Sequence, residues 1–208
     1  MVSKYGIKKI KFLLFYIFIF SFIHSDFKPK KIESLAKFNK YYFLENGDLV
    51  CRLGNGYFSD FFKKYASKDK IYSHIGIIVL EKNIPYVIHS EASEFTGVGG
   101  IKKESIDVFL EGIQTYSFFK MNISQVEKNQ IISKSNYYLN KHTKFDLNFD
   151  TNDDSEMYCT EFVAKCINQG MGKNIIQPTL KINDKYLFGL DDIYNNDIIS
   201  IKKNLFLH

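Results

Sequence analysis

One thiol and one imidazole stand out in this 208-residue chain as groups placed for nucleophilic chemistry. Cys159 sits in the run Asp154-Ser155-Glu156-Met157-Tyr158-Cys159-Thr160-Glu161-Phe162-Val163, where an acidic loop enters an apolar helix. A thiol in a first helical turn feels the positive end of the helix dipole and unpaired backbone N–H groups. Both are expected to lower its pKa, and the same N–H groups can stabilise an oxyanion on an attacked carbonyl. Cys166, one face deeper in the same helix, reads as an inert packing residue. It lies about 10 Å along the axis from Cys159, too far for the two to pair. With Cys51 the cysteines number 3 and show no CxxC spacing, so neither a disulfide framework nor a zinc site is indicated.

Among the histidines, His24 falls in an N-terminal apolar segment, His208 is the last residue and His142 lies among Lys and Asn near a helix end. His74 differs, because it opens the apolar strand Ser73-His74-Ile75-Gly76-Ile77-Ile78-Val79-Leu80. A sheet can hold such a ring rigidly at the mouth of a cleft. A catalytic imidazole also needs a third group to orient it. If Lys82-Asn83 is a two-residue turn, Glu81 pairs with Ile84 and His74 faces Glu91 across the ladder. His89 shares that face but sits opposite Gly76, a diagonal step away. The register therefore favours Glu91 as the orienting residue, with His89 as the alternative.

The elements that must position these groups follow from periodicity. Residues 48–53, 73–80, 85–91 and 115–121 read as strands, the second and third as a hairpin. Ser124 and Glu127 form a capping box ahead of a helix over 124–140, and a second helix is expected over 157–169, ended by Gly170 and Gly172. Short helices are expected near 31–41 and 105–111, and another over 55–66 carries Phe58, Phe61, Phe62 and Tyr65 at helical spacing. That aromatic set reads as core or as the wall of an acyl pocket. The segment 94–100 reads as a glycine-bearing loop, and the chain beyond Pro178 as a late strand or loop wrap. Strands in the middle and helices at both ends predict an α+β fold with a small antiparallel sheet or half-barrel packed against helices.

Composition sets the frame. Apolar residues at 45% and charged residues at 25% exclude a disordered chain and a polytopic membrane protein. The net charge of +5 is concentrated in Lys4, Lys8, Lys9 and Lys11, with no acid before Asp26. The nearly neutral remainder lacks a nucleic-acid footprint. Those lysines precede the apolar run Phe12 to Ile23 and then His24-Ser25-Asp26, the order of a bacterial secretory signal. Residues 1–25 are thus expected to be a signal peptide, or a membrane anchor through residues 12–23 if uncleaved, and 26–208 one domain of an exported protein. Asp150, Asn152, Asp154 and Glu161 match spaced positions of a calcium loop, but Ser155 stands where the required glycine would bend the chain.

The strings Gly47-Asp48-Leu49, Tyr72-Ser73-His74-Ile75-Gly76-Ile77, Tyr86-Val87-Ile88…Glu91-Ala92 and Tyr158-Cys159-Thr160-Glu161-Phe162-Val163 resemble the permuted papain-like amidohydrolases. The branch is the YiiX/YaeF/YebB group of the NlpC/P60 superfamily, in which the His-bearing strand precedes the Cys-bearing helix. The resemblance spans about residues 45–200 and includes Leu190-Asp191-Asp192-Ile193. It implies a papain-like fold with Cys159 as nucleophile, His74 as base and Glu91 as third member. His89-Ser90 before Glu91 departs from the family pattern and keeps His89 as an alternative. The implied activity is hydrolysis of an amide or ester through an acyl-enzyme, with the Cys159 N–H and a neighbour such as Tyr158 holding the oxyanion. No metal or organic cofactor is implied. Export suggests a cell-wall peptide substrate, an apolar helix an acyl-lipid. The rival reading is an inactive module that binds a peptide or lipid in the same cleft.

Overall fold

The computed structural model describes residues 40–54, 59–60, 63–64 and 70–206, with side chains to residue 204. The chain divides into two compact units, Met1–Tyr42 and Phe43–His208. The expected signal segment, most of the helix near 31–41, and the aromatic set Phe58, Phe61, Phe62 and Tyr65 lie outside the described residues. No described helix is long and apolar enough to cross a membrane.

The centre of the second unit is a hairpin of β2 (His74–Glu81) and β3 (Ile84–Ala92). Lys82 and Asn83 both take positive φ, 50° and 64°, the twist that a two-residue turn needs to join right-twisted strands. Glu81 pairs with Ile84 and the ladder runs back to Ile77 and Ile88, the register read from the sequence. Around the hairpin lie β1 (Leu49–Arg52), β4 (Gly99–Ser105), β5 (Thr115–Met121) and β8 (Ile199–Phe206). They form one open antiparallel sheet in the order β4-β3-β2-β1-β5-β8. The strand β4 replaces part of the loop expected over 94–100. The C-terminal segment resolves into a β6 (Leu180–Ile182) and β7 (Lys185–Leu187) hairpin, then a short helix, then the edge strand β8.

Side chains alternate across these strands, so the two faces differ in chemistry. One face, with Leu49, Cys51, Ile75, Ile77, Ile88, Ile101 and Phe119, packs into the main hydrophobic core. That core is closed by two helices, α2 (Gln125–Asn140) and α3 (Cys159–Met171). The capping box predicted for α2 is present: Ser124 N–H donates to the Glu127 carboxylate at 2.8 Å, and Glu127 N–H donates to the Ser124 hydroxyl. The helices meet at Gly170, where a Cβ would stand 2.6 Å from Ile131 Cγ1, so only glycine permits this approach. Gly172 ends α3 with a φ of 62°. On the other face β1, β2, β3 and β4 place Arg52, His74, His89, Glu91, Lys102 and Glu104, beside a single-turn helix α1 (Ile106–Phe109). The expected α+β architecture is the one observed.

Candidate active site

Cys159 opens α3, as the acidic loop and apolar periodicity predict. The segment before it is held by a strand: the Ser90 hydroxyl donates to the Met157 carbonyl at 2.6 Å. The residues flanking the thiol are both fastened to Phe188. Tyr158 Oη accepts the Phe188 N–H at 2.8 Å, and the Thr160 hydroxyl donates to the Phe188 carbonyl at 2.6 Å. Glu161 Oε2 accepts the Tyr158 N–H at 3.3 Å, and its other oxygen lies 2.9 Å from Lys165 Nζ. The helix start is therefore clamped from three directions. Tyr158 is fully buried and is not among the residues that border the cavity described below, so the expectation of a Tyr158 oxyanion donor is corrected: it anchors the loop.

Cys159 and His74 border one cavity of about 290 Å³, at the end of β2 where sheet and helix meet. Arg52, Ser73, Glu91, Glu94 and Glu111 supply most of its polar wall, and Ala92, Ile113 and Phe145 its apolar part. The thiol is 1% exposed, and burial pushes its pKa up to about 12. Backbone N–H groups of Thr160, Ile75 and Cys159 itself pull the other way but are outweighed, and the Glu91 charge adds to burial. Burial thus opposes the ready thiolate expected from the helix N-terminus. The donors are present as the helix N-terminus requires, but desolvation wins. His74 is held well below the usual imidazole range by burial first, then by the charges of Arg52, His89 and Lys102. Both partners are accordingly neutral at rest, as thiol and imidazole. Among the described residues they share the cavity wall without a direct hydrogen bond, a loose geometry common before substrate binds.

The group that orients His74 is His89. His74 Nε2 and His89 Nδ1 are 2.7 Å apart, and the rings meet edge to face with centroids 5.0 Å apart. Phe109 of α1 packs against both rings. His89 Nε2 in turn lies 3.1 Å from Glu104 Oε1. Glu91, expected in that role, is turned aside into an ion pair with Arg52 and a second with Lys102 Nζ at 2.7 Å. The hairpin register is the expected one, yet register alone does not decide the contact. Gly76 offers His89 no side chain to pass: a Cβ there would stand 3.1 Å from His89 Cβ. Arg52, paired with His74 on the other side of β2, draws the Glu91 carboxylate to itself. Burial works to raise the Glu91 pKa, but His89, Lys102 and Arg52 together hold it below its ordinary value.

Three residues of this site escape the sequence reading: Arg52, Lys102 and Glu104. Arg52 closes a strand that is recognisable, and its register opposite His74 was the available signal. Lys102 and Glu104 lie on β4, where only Ile101 is buried and no alternation betrays a strand. Of the calcium-loop candidates, Asp154 and Glu161 both bind Lys165, and Asp154 also accepts from Tyr138.

An open antiparallel sheet with a cysteine-headed helix against it, and a histidine on a preceding strand, is the arrangement of a papain-like thiol hydrolase in permuted order. The profile of the family described as permuted papain-like amidase enzyme, YaeF/YiiX, C92 matches residues 44–196, and the chain belongs to that family. Among solved structures, metalloprotein yiiX from Escherichia coli O157:H7 (DUF1105) superposes with a TM-score of 0.64 at 15% identity. The match covers 78% of this chain and 98% of that one. No curated protein sequence matches the chain.

His74, His89 and Glu91 offer three ligand atoms within 4.8 Å of one another. The residues present do not fit a cation as they stand. The two ring nitrogens are already hydrogen-bonded to each other at 2.7 Å, and Glu91 is neutralised by Arg52 and Lys102, whose charges would oppose a metal ion at the same point.

Proposed function

We propose that this chain hydrolyses a peptide-like amide through an acyl-enzyme on Cys159. The observation that carries this reading is the single cavity bordered by Cys159 and by a His74 whose Nε2 is engaged by His89. That engagement leaves Nδ1 as the nitrogen for proton exchange with the thiol. As substrate enters, His74 Nδ1 takes the Cys159 proton, and the nascent thiolate is met by the N–H groups of Thr160 and Ile75. Sulfur attacks the carbonyl carbon, and the Cys159 N–H at the head of α3 stabilises the oxyanion. The imidazolium returns its proton to the leaving amine. Water, deprotonated by the same nitrogen, then cleaves the thioester and frees the acid.

The polar wall of Arg52, Glu91, Glu94 and Glu111 supports a polar peptide over an acyl-lipid, since Ala92, Ile113 and Phe145 make too small an apolar surface for an alkyl chain. Export by residues 1–25 to a cell envelope would bring such a peptide within reach. A binding module without turnover is favoured by one observation, the burial of the thiol, which raises its pKa. Cys159→Ser separates the two readings. It should abolish hydrolysis of muropeptide and ester substrates, by at least about 10³-fold, while leaving the fold intact, and Cys166→Ser should leave hydrolysis unchanged. Loss of turnover in Cys166→Ser with retention in Cys159→Ser refutes the nucleophile, and no turnover by the wild type on any amide or ester leaves the binding module.

A further inference from the structure

We infer that Glu104 is a positioning residue for this reaction: through His89 it selects the tautomer of His74 that leaves Nδ1 unprotonated. The inference rests on the reading of His74 as the base. Three groups on neighbouring strands form a chain, Glu104 Oε1 to His89 Nε2 at 3.1 Å and His89 Nδ1 to His74 Nε2 at 2.7 Å.

A carboxylate can only accept a hydrogen bond, whereas a neutral imidazole has one N–H and one lone pair. Glu104 therefore requires the N–H of His89 to be on Nε2. The lone pair of His89 is then on Nδ1, so the proton in the 2.7 Å contact belongs to His74 Nε2. The remaining nitrogen of His74, Nδ1, is left as the lone pair that can take a proton from a thiol. Reversing the first choice reverses every later one. With its proton on Nδ1, His89 would donate to His74 Nε2, and His74 would carry its own proton on Nδ1, where it could accept nothing from Cys159. The doubly protonated form of His89 would impose the same inactive arrangement.

The site is built to hold the first choice. His89 is 0% exposed, so the protein and not bulk solvent decides which of its nitrogens is protonated. Lys102 stands directly across the β3–β4 ladder from His89, and its Nζ reaches Glu104 Oε2 at 3.0 Å and Glu91 Oε2 at 2.7 Å. With Lys102 and the His89 N–H as partners, Glu104 stays ionised well below the ordinary carboxylate range in spite of its burial. Arg52 and Lys102 engage the two oxygens of the neighbouring Glu91 carboxylate, so that second acceptor is already occupied by cations. Phe109 packs against both rings and fixes their planes. A Glu104 kept only as an ion-pair partner for Lys102 would not need to touch His89.

Histidine tautomers are read directly by two-bond ¹H–¹⁵N correlation spectra of the full ¹⁵N-labelled chain, with no substrate required. The wild type should show His74 and His89 both protonated on Nε2. In Glu104→Gln the side-chain amide can present oxygen or N–H to His89, so the Nδ1–H form of His74 should appear. kcat should fall at least about tenfold with KM little changed. In a His89→Asn background an amide oxygen can take the place of Nδ1 and accept from His74 without relaying a second proton. Adding Glu104→Gln there should cost less than about twofold. An unchanged His74 tautomer in Glu104→Leu, whose side chain offers His89 no acceptor, or a full tenfold cost of Glu104→Gln in the His89→Asn background, overturns the inference. A tautomer shift with unchanged turnover upholds the selection by Glu104 and overturns instead the assignment of His74 as base.

Discussion

Replacing His89 by alanine should damage catalysis far more than neutralising Glu91. The alanine removes the acceptor of the 2.7 Å bond from His74 Nε2 and leaves that donor buried without a partner. An unmet buried donor costs about 1–3 kcal/mol. The ring would escape this by turning or by moving its proton to Nδ1, and either change removes the base from the thiol. A displacement of about 1 Å in a reacting group costs about 10²-fold, or about 2.7 kcal/mol, which falls within the cost of the unmet donor. We therefore expect kcat to fall about 100-fold with a smaller change in KM. Glu91→Gln breaks two partly exposed ion pairs, with Arg52 and Lys102, and leaves the His74–His89 contact in place. Its cost in kcat should stay near about 1 kcal/mol, roughly fivefold. The assay is steady-state hydrolysis of a peptide amide and an activated ester, with the rate of iodoacetamide alkylation at Cys159 as a substrate-independent companion. Circular dichroism checks that each variant is folded. If Glu91→Gln proves as damaging as His89→Ala, the orienting role belongs to Glu91 and the geometry argued from the His–His contact is wrong.

Burial disfavours the cations of His74 and His89, so below their ordinary pKa of 6.5 the unfolded chain binds protons that the folded chain refuses. Stability should accordingly fall as pH drops from about 7.5 to about 5.5, less steeply in His89→Asn; a flat denaturation midpoint over that window contradicts the buried neutral pair. Gly76→Ala would bring a Cβ to 2.4 Å from Val87 Cγ1 and 3.1 Å from His89 Cβ. It should cost about 1–3 kcal/mol of stability and most of the activity, and wild-type behaviour would show that His89 does not depend on the open space there. If residues 1–25 act as a cleaved signal, the mature protein should begin near Asp26, and an intact mass that retains residues 1–25 would indicate an anchor instead.

The hairpin was legible because its signals are local. Apolar, β-branched runs flank a Lys-Asn turn, and the register then follows by counting. The start of α3 was legible from the acidic loop and the apolar helix behind it. The third member of the site was not, because it depends on groups that register does not rank. His89 leans across a glycine, while Arg52 competes for Glu91 from a strand remote in sequence. Edge strand β4 was hidden by its own composition, with Lys102, Lys103 and Glu104 in succession, so the carboxylate behind His89 could not be seen. The position of Cys159 at a helix N-terminus argued for a low pKa, and only the packed structure reveals the burial that works against it.

The account turns on a covalent bond at one sulfur. Mass spectrometric peptide mapping after rapid acid quench of the enzyme with an activated acyl ester tests it most directly. The account predicts an acyl adduct on the peptide that contains Cys159, absent in Cys159→Ser, with Cys51 and Cys166 unmodified. Substrate turnover without any adduct on Cys159, or with the adduct on Cys166, would contradict it.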